Sequence, residues 1–428
     1  MKPAQSSEGR GISTLNVVEN PPVPYYVKAC ALGIPAYLIG IHFWTWVFNV
    51  RYFLAGWADF RSLYTAGYLI RTGHRHQLYE FGLQEHFQNA IVDPSNVTLP
   101  FNHLAYESLL FAPLSFVTYR TAYFIFLGVN LVTLALCFRL LRPWTRNLAK
   151  VYRWLPIALF AAYLPIAAAL IQGQDSILLL AAFTGLFVLL EHDQHGWAGA
   201  VLGLAMFKFQ FALPVALVFL FWRRWKFIAG FAVSAGALLS ISVWLVGLSQ
   251  MRTFVRLLST ISAISGPTDY LANAVSPNHM PNLRGLIFGL ADDHFPTKAL
   301  QVTIAIASAV LLLWVVKRCN IAYKSSASLV VITVTVLVSY HSNIHDLSIL
   351  LVPILCTLDR YVLRQSNDAA ARWLTISAAS AFCAPVAESF FSDRLYLASL
   401  PILILLVVLI KHLTSDSSER HAVILKPA

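Results

Sequence analysis

The chain has 428 residues, of which 58% are hydrophobic and only 12% charged, and its formal charge is +11. Water-soluble domains carry about a quarter of their residues charged, and the apolar residues here come in long blocks, so a soluble enzyme is excluded and an all-α polytopic membrane protein is indicated. The positive charge does not indicate a nucleic-acid partner, because Lys and Arg gather at the ends of the apolar blocks.

In chain order, residues 1–28 are a polar tail without the apolar core of a cleavable signal peptide, so the first span is expected to act as an uncleaved signal-anchor. Residues 29–50 are long enough to cross a bilayer. A first outer loop, 51–118, follows. Within it, 75–92 have the pattern of a short amphipathic helix. Residues 103–117 are apolar but short and contain Pro113, which suits an interfacial or re-entrant segment. Further spans are expected at 119–138, 154–171, 176–191, 226–248, 299–316, 326–340, 346–359, 373–390 and 395–412. A second long outer loop covers 249–298.

Residues 197–222 divide at Lys208 into two apolar halves. A hairpin of two short helices keeps Arg223, Arg224 and Lys226 on the same side as most of the other Lys and Arg residues, as the positive-inside rule requires. The result is a bundle of about twelve transmembrane helices over residues 29–412. Both ends lie in the cytoplasm, and the tail 413–428 is polar and expected to be unstructured from Thr414. The five cysteines are scattered and imply neither disulfides nor a metal motif. Four histidines of the first outer loop, His74, His76, His86 and His103, match no standard metal spacing, so no metal and no cofactor is expected. No internal repeat is found, so the inverted-repeat signature of many transporters is missing.

With this sidedness, the polar segments that look chemical emerge on one outer face. They are Asp59 to Tyr64, Gln172 to Asp175, Lys208, Ser276 to Arg284, and His341 to Asp346. Their order and spacing resemble glycosyltransferase family 87. The resemblance rests on Asp59-Phe60 with Tyr64 and Ala66, Leu78-Tyr79, Ala112-Pro113-Leu114, Gln172-Gly173-Gln174-Asp175, Ala198-Gly199 with Gly203-Leu204-Ala205 and Lys208, Arg223-Arg224-Trp225, and Tyr340-His341 with His345-Asp346-Leu347. It covers roughly residues 55 to 355. The chain departs from the family pattern at three places: Leu99-Pro100-Phe101-Asn102-His103 replaces a Tyr-Pro-Pro, Phe209-Gln210 follows Lys208 where a proline is usual, and Tyr340 precedes His341 where a proline is common. These departures bear on the acceptor more than on the fold.

The resemblance implies a GT-C-type fold and a membrane hexosyltransferase. Such an enzyme takes a sugar, often mannose, from a polyprenyl-phosphate donor and passes it to a glycolipid or glycan acceptor. It would work in a bacterial inner membrane with its site facing the periplasm. On this reading Asp59 is the general base of an inverting transfer. Lys208, Arg284 and His341 bind the donor phosphate. Trp57, Tyr64, Gln172, Gln174, Asp175, Asn278, His345 and Asp346 line the site. Each residue also has a plainer use. Asp59 could pair with Arg61 or cap a helix starting at Phe60, Lys208 could snorkel, and Asp346 could favour a helix N-terminus. A lipid or solute transporter or flippase, and a lipid-linked oligosaccharide polymerase or ligase, are the rival functions.

Overall fold

The computed structural model describes residues 23–94, 98–262, 276–291, 295–319, 326–364, 368–389 and 394–424. Most of the expected N-terminal tail and the middle of the second outer loop lie outside these residues, as do the last four residues of the C-terminal tail. Among the described residues every regular element is helical. In chain order they are α1 (Tyr25–Tyr52), α2 (Phe60–Arg71), α3 (Phe81–Ile91), α4 (Ser108–Phe111), α5 (Tyr119–Leu141), α6 (Arg146–Val151), α7 (Leu155–Ala162), α8 (Leu164–Gln172), α9 (Ser176–Glu191), α10 (His195–Leu204), α11 (Phe209–Phe221), α12 (Trp225–Ser262), α13 (Leu283–Leu290), α14 (Thr297–Cys319), α15 (Ser326–Val338), α16 (Leu351–Tyr361), α17 (Ala369–Cys383) and α18 (Ser399–Ile424). Helix α18 runs on past Thr414 to Ile424, where an unstructured tail was expected.

Six stretches are long and apolar enough to cross a membrane: Tyr25–Arg71, Tyr119–Trp144, His195–Phe221, Trp225–Ser259, Thr297–Cys319 and Leu395–His412. The pair α7 and α8, bent by 55°, makes a seventh if counted as one broken span. Length and composition therefore give six or seven spans among the described residues rather than twelve. The other apolar helices, such as Ser176–Glu191 and Ala327–Val338, are shorter than a bilayer needs by themselves.

One of the six stretches reverses inside itself. Lys208 has φ −116° and ψ 61°, which ends the helical path between α10 and α11. The neighbours show the reversal. A Cβ on Gly230 of α12 would meet the Gly196 carbonyl oxygen at 1.9 Å, one on Gly199 the Phe227 carbonyl oxygen at 1.9 Å, and one on Gly203 the Ser234 hydroxyl. Residue numbers rise together along that contact, so α10 and α12 run parallel, and α11 must be the return leg between them. Thr335 Oγ1 donates to the Phe211 carbonyl near the turn, and Trp222 Nε1 donates to the Val316 carbonyl at the far end. The legs have 10 and 13 residues, about 15 and 20 Å at 1.5 Å per residue. The hairpin therefore carries Lys208 at its tip into the middle of the molecule.

The α10–α12 contact depends on glycine because lipid-facing helices gain no hydrophobic drive from meeting each other and must bring backbones close. Gly199→Ala forces the helices apart and should cost about 1–3 kcal/mol, as overpacking does elsewhere. Gly236→Ala on the open side of α12, where nothing lies within 4 Å, should be neutral or slightly stabilising. Thermal unfolding of the detergent-solubilised variants measures the difference.

Candidate active site

Asp59 directly precedes α2 and sits where a helix cap would, yet its side chain makes no capping hydrogen bond. Nor does it pair with Arg61. That guanidinium is buried and donates to Gln88 Oε1, Asn89 Oδ1 and the Asp93 carbonyl, each at 2.9 Å. Both plain uses of Asp59 are therefore absent. The next residue, Phe60, is fully buried among the rings of Tyr64, Phe111, Tyr119, Tyr123 and Phe126, with centroids 5.4–6.1 Å away. This aromatic cage fixes the backbone on which Asp59 stands.

The same cage places the next segment. Helix α8 ends at Gly173 in the left-handed conformation (φ 59°), and a Cβ there would lie 2.7 Å from Phe60. Only glycine takes that turn cheaply. Tyr123 OH donates to the Ile171 carbonyl at 2.7 Å. The turn thus swings Gln174 and Asp175 toward Asp59. Gln174 Nε2 donates to Asp59 Oδ2 at 2.6 Å, and the Asp59 backbone N–H donates to Gln172 Oε1 at 3.3 Å.

The hairpin tip and the segment after α15 complete the cluster. Lys208 is buried, and its Nζ lies 2.6 Å from Asp346 Oδ1, 2.9 Å from Asp175 Oδ1 and 2.8 Å from Ser176 Oγ. It also donates to Gln174 Oε1 at 3.4 Å. Asp346 closes a capping box with Asn343, its Oδ2 accepting the Asn343 backbone N–H at 2.9 Å. His345 points one ring edge at this cluster, with Nδ1 2.9 Å from Ser176 Oγ and 3.2 Å from Asp346 Oδ1. Its Nε2 lies 3.7 Å from Asp59 Oδ2. Asp346 thereby favours the tautomer with the proton on Nδ1. Asp59 remains the accessible carboxylate, its side chain 31% exposed, while Asp175 and Asp346 are buried.

These groups surround a cavity of about 110 Å³, lined among others by Asp59, Gln174, Lys208, His341, His345 and Asp346. Burial lowers the His341 imidazole to about 4, so it is neutral at ordinary pH. Six expected site residues do not line this cavity, and two of them, Gln172 and Asp175, only hold its lining residues Asp59 and Lys208. Trp57 is 60% exposed and is not among the lining residues. Tyr64 is buried in the aromatic cage and donates to the Val117 carbonyl at 2.8 Å. Asn278 lies half-buried in the short turn Pro277–His279. Arg284 is buried behind the wall and donates to the Tyr340 carbonyl at 2.9 Å, while Asn282 Nδ2 holds the Ser339 carbonyl at 2.8 Å. Arg284 thus fixes the backbone that carries His341.

Sequence reasoning missed a second layer of charge. His103 Nδ1 lies 3.1 Å from Asp175 Oδ2 and against Glu107 Oε2, and Glu107 is wholly buried. Burial by itself would lower His103, but the Glu107 and Asp175 carboxylates outweigh it and raise the imidazole to about 10. Burial also raises Glu107 to about 8 against the pull of His103. Burial would raise Asp175, but Lys208 and His103 hold it below the ordinary range. The signal was present: His103 and Glu107 are one helical turn apart, in a stretch otherwise nearly uncharged.

His103, Glu107 and Asp175 place three ligand atoms within 4.8 Å of one another, the only such group among the described residues. Two features of the donor set do not favour a divalent ion. The Lys208 ammonium already lies on Asp175, and a protonated His103 already bridges the two carboxylates. His74, His76 and His86 take no part. His76 reaches the Val246 carbonyl and His74 the Thr72 hydroxyl, while His86 packs on Phe87.

Two predictions follow from this charge arrangement. Lys208→Met takes the ammonium from two buried carboxylates, leaving Asp175 with His103 alone, and should destabilise the protein by about 3–5 kcal/mol, with part of the loss recovered in Lys208→Met/Asp346→Asn. In addition, His103 and Glu107 bind their protons more tightly folded than unfolded. Their stabilisation is complete below the unfolded values and is lost as pH rises through about 8 and then about 10. The melting temperature should fall between pH 7 and 10, and His103→Gln should flatten that slope.

The model of glycosyltransferase family 87 matches residues 107–339, just over half of the chain. Asp59 and the segment His341–Asp346 lie outside the matched residues and stand on the geometry above. Comparisons with curated proteins and with solved structures give no match.

Proposed function

The chain belongs to glycosyltransferase family 87, and from that premise we propose that it moves a hexose from a polyprenyl-phosphate donor to a hydroxyl of a lipid or glycan acceptor at the outer face of the membrane. Mannose is the sugar that the family resemblance favours, and a bacterial inner membrane with a periplasmic site is the setting. The broken pair α7–α8, the second leg of the hairpin and the short helices α9, α15, α16 and α17 would supply the passes beyond the six long stretches, for a twelve-pass GT-C-type bundle.

One observation carries the mechanism. Among the described residues, the Asp59 side chain opens on the cavity with only an amide donor and a nearby imidazole as partners, whereas Asp175 and Asp346 are already matched to Lys208. Asp59 is thus the carboxylate left to act on substrate. In an inverting transfer the acceptor oxygen attacks the anomeric carbon and the bond from that carbon to the phosphate oxygen breaks. The electron pair leaves with the polyprenyl phosphate, and the acceptor proton passes to Asp59. His345 Nε2 lies 3.7 Å from the same carboxylate oxygen, beyond hydrogen-bond distance, and faces the position where that proton arrives. The phosphate role given to Lys208 and Arg284 weakens on this geometry, because both spend hydrogen bonds on protein acceptors. His341 on the cavity wall keeps its role as a donor to the leaving phosphate.

A transporter or flippase would need its charged groups at a midplane gate. Here the ionic groups are locked to one another around a cavity of about 110 Å³, which favours chemistry over passage. Sugar transfer from polyprenyl-phosphate hexoses to membrane lipids, measured in nanodiscs, tests the reading. Asp59→Asn should lower the rate about 10²–10⁴-fold with folding unchanged. An equally active Asp59→Asn would remove the base assignment, and a wild type silent toward every lipid-phosphate sugar would remove the transferase.

A further inference from the structure

The cavity has a second set of polar groups that the transfer mechanism does not use. Asn102 and Gln210 both line it, and both are only half exposed. Among the described residues neither side chain has a hydrogen bond, although an amide carries two donors and an acceptor. Unmatched polar side chains on a cavity wall are ordinarily left free to swing toward water. These two stand on backbone that is held still.

Asn102 sits in an extended stretch that α3 pins with side chains in place of a partner strand. Gln88 exchanges hydrogen bonds with both the N–H and the carbonyl of Leu99, at 3.1 and 2.7 Å. Gln84 Oε1 accepts the Phe101 N–H at 2.8 Å, and Tyr79 OH donates to the His103 carbonyl at 2.8 Å. Phe101 is buried. The residues on either side of Asn102 are thus both fixed. Gln210 lies in the first turn of α11. Its neighbour Phe209 stacks on Tyr340 at 5.8 Å, and its other neighbour Phe211 is buried with its carbonyl accepting from Thr335. Tyr340 itself lines the cavity.

We propose that Asn102 and Gln210 are specificity-determining residues that read the hydroxyls of a neutral hexose, with the Tyr340 ring offering it an aromatic face. This rests on the transferase reading and deepens it. A planar amide presents a donor and an acceptor side by side, which matches two neighbouring sugar hydroxyls. Holding the amides in place beforehand lowers the entropy lost on binding. A site built to hydrogen-bond a hydroxyl also discriminates strongly against an analogue that lacks it. Both residues fall where the chain departs from the family pattern, as does Tyr340. The hydroxyls could belong to the donor sugar or to a glycosyl acceptor.

The test uses full-length protein in nanodiscs, with wild type, Asn102→Leu and Gln210→Leu. Donors are undecaprenyl-phosphate mannose and its monodeoxy derivatives, and the acceptor probes are octyl mannoside and its monodeoxy derivatives. Binding is measured by thermophoresis alongside transfer. For wild type, removing one particular hydroxyl should weaken binding and transfer about tenfold to a hundredfold. The matching Leu variant should show that loss with the full sugar and no further loss with the deoxy sugar. The series that shows this coupling, donor or acceptor, identifies the source. Equal losses with every sugar, no loss in either variant, or no binding of any probe by wild type would overturn the proposal. Coupled binding without any transfer would uphold the two residues and remove the transferase reading instead.

Discussion

Lys208 Nζ touches Asp175 and Asp346, residues separated from each other by well over a third of the chain, and few contacts in the molecule constrain more. A lone ammonium at the tip of two short apolar helices is expensive to keep out of water, and it becomes tolerable only with carboxylates beside it. Once it is there, three segments have to meet: the hairpin tip, the turn after α8 and the capping box before α16. Asp175 then draws in His103 and the first outer loop, and Asp346 orients His345. The cavity is what remains between segments brought together in this way. Asp59 lies at its edge, reached by the network through Gln174 at 2.6 Å and, more distantly, through His345 at 3.7 Å.

Rigidity reaches Asp59 from the other direction as well. Phe60 is locked in a five-ring cage, and the Gly173 turn closes against that cage. A carboxylate that must meet an acceptor hydroxyl at hydrogen-bond distance gains from a backbone that does not move. The cage supplies this from apolar packing, which costs no buried charge. The polar network and the aromatic cage therefore serve one residue by different physics, one setting the surrounding charge and the other the position.

Much of the site was legible in the sequence because charge is conspicuous in a chain that is 58% hydrophobic. Asp59, Gln174, Asp175, Lys208, His341, His345 and Asp346 could be gathered on one face from span order and basic-residue bias alone, and they do meet. The hairpin at Lys208 was legible for the same reason, since a straight helix would have stranded Arg223 and Arg224. Direction was not legible. Arg284 and Tyr64 belong to the right segments but point into the protein, and no pattern in their neighbours says so. His103 and Glu107 were hidden by context, because an apolar stretch with Pro113 reads as interface and their pairing needs Asp175, which lies far along the chain. The number of passes reads differently at the two levels: the sequence pattern counts 176–191, 326–340 and both hairpin legs as spans, whereas α9, α15 and the legs as folded are each shorter than a bilayer needs.

The hairpin has a consequence for how the protein is made. Neither leg is long enough to cross a bilayer alone, and the tip carries a charge. As the ribosome extends the chain, Asp175 precedes Lys208 by some thirty residues, but Asp346 is synthesised only after well over a hundred more. During that interval the ammonium has one of its two carboxylates, and the legs have no α15 to rest against. The hairpin must therefore wait, held beside α9 or at the membrane surface, until the later helices arrive. The full burial of Lys208 thus requires Asp346, and it marks the point at which the two halves of the chain become one structure.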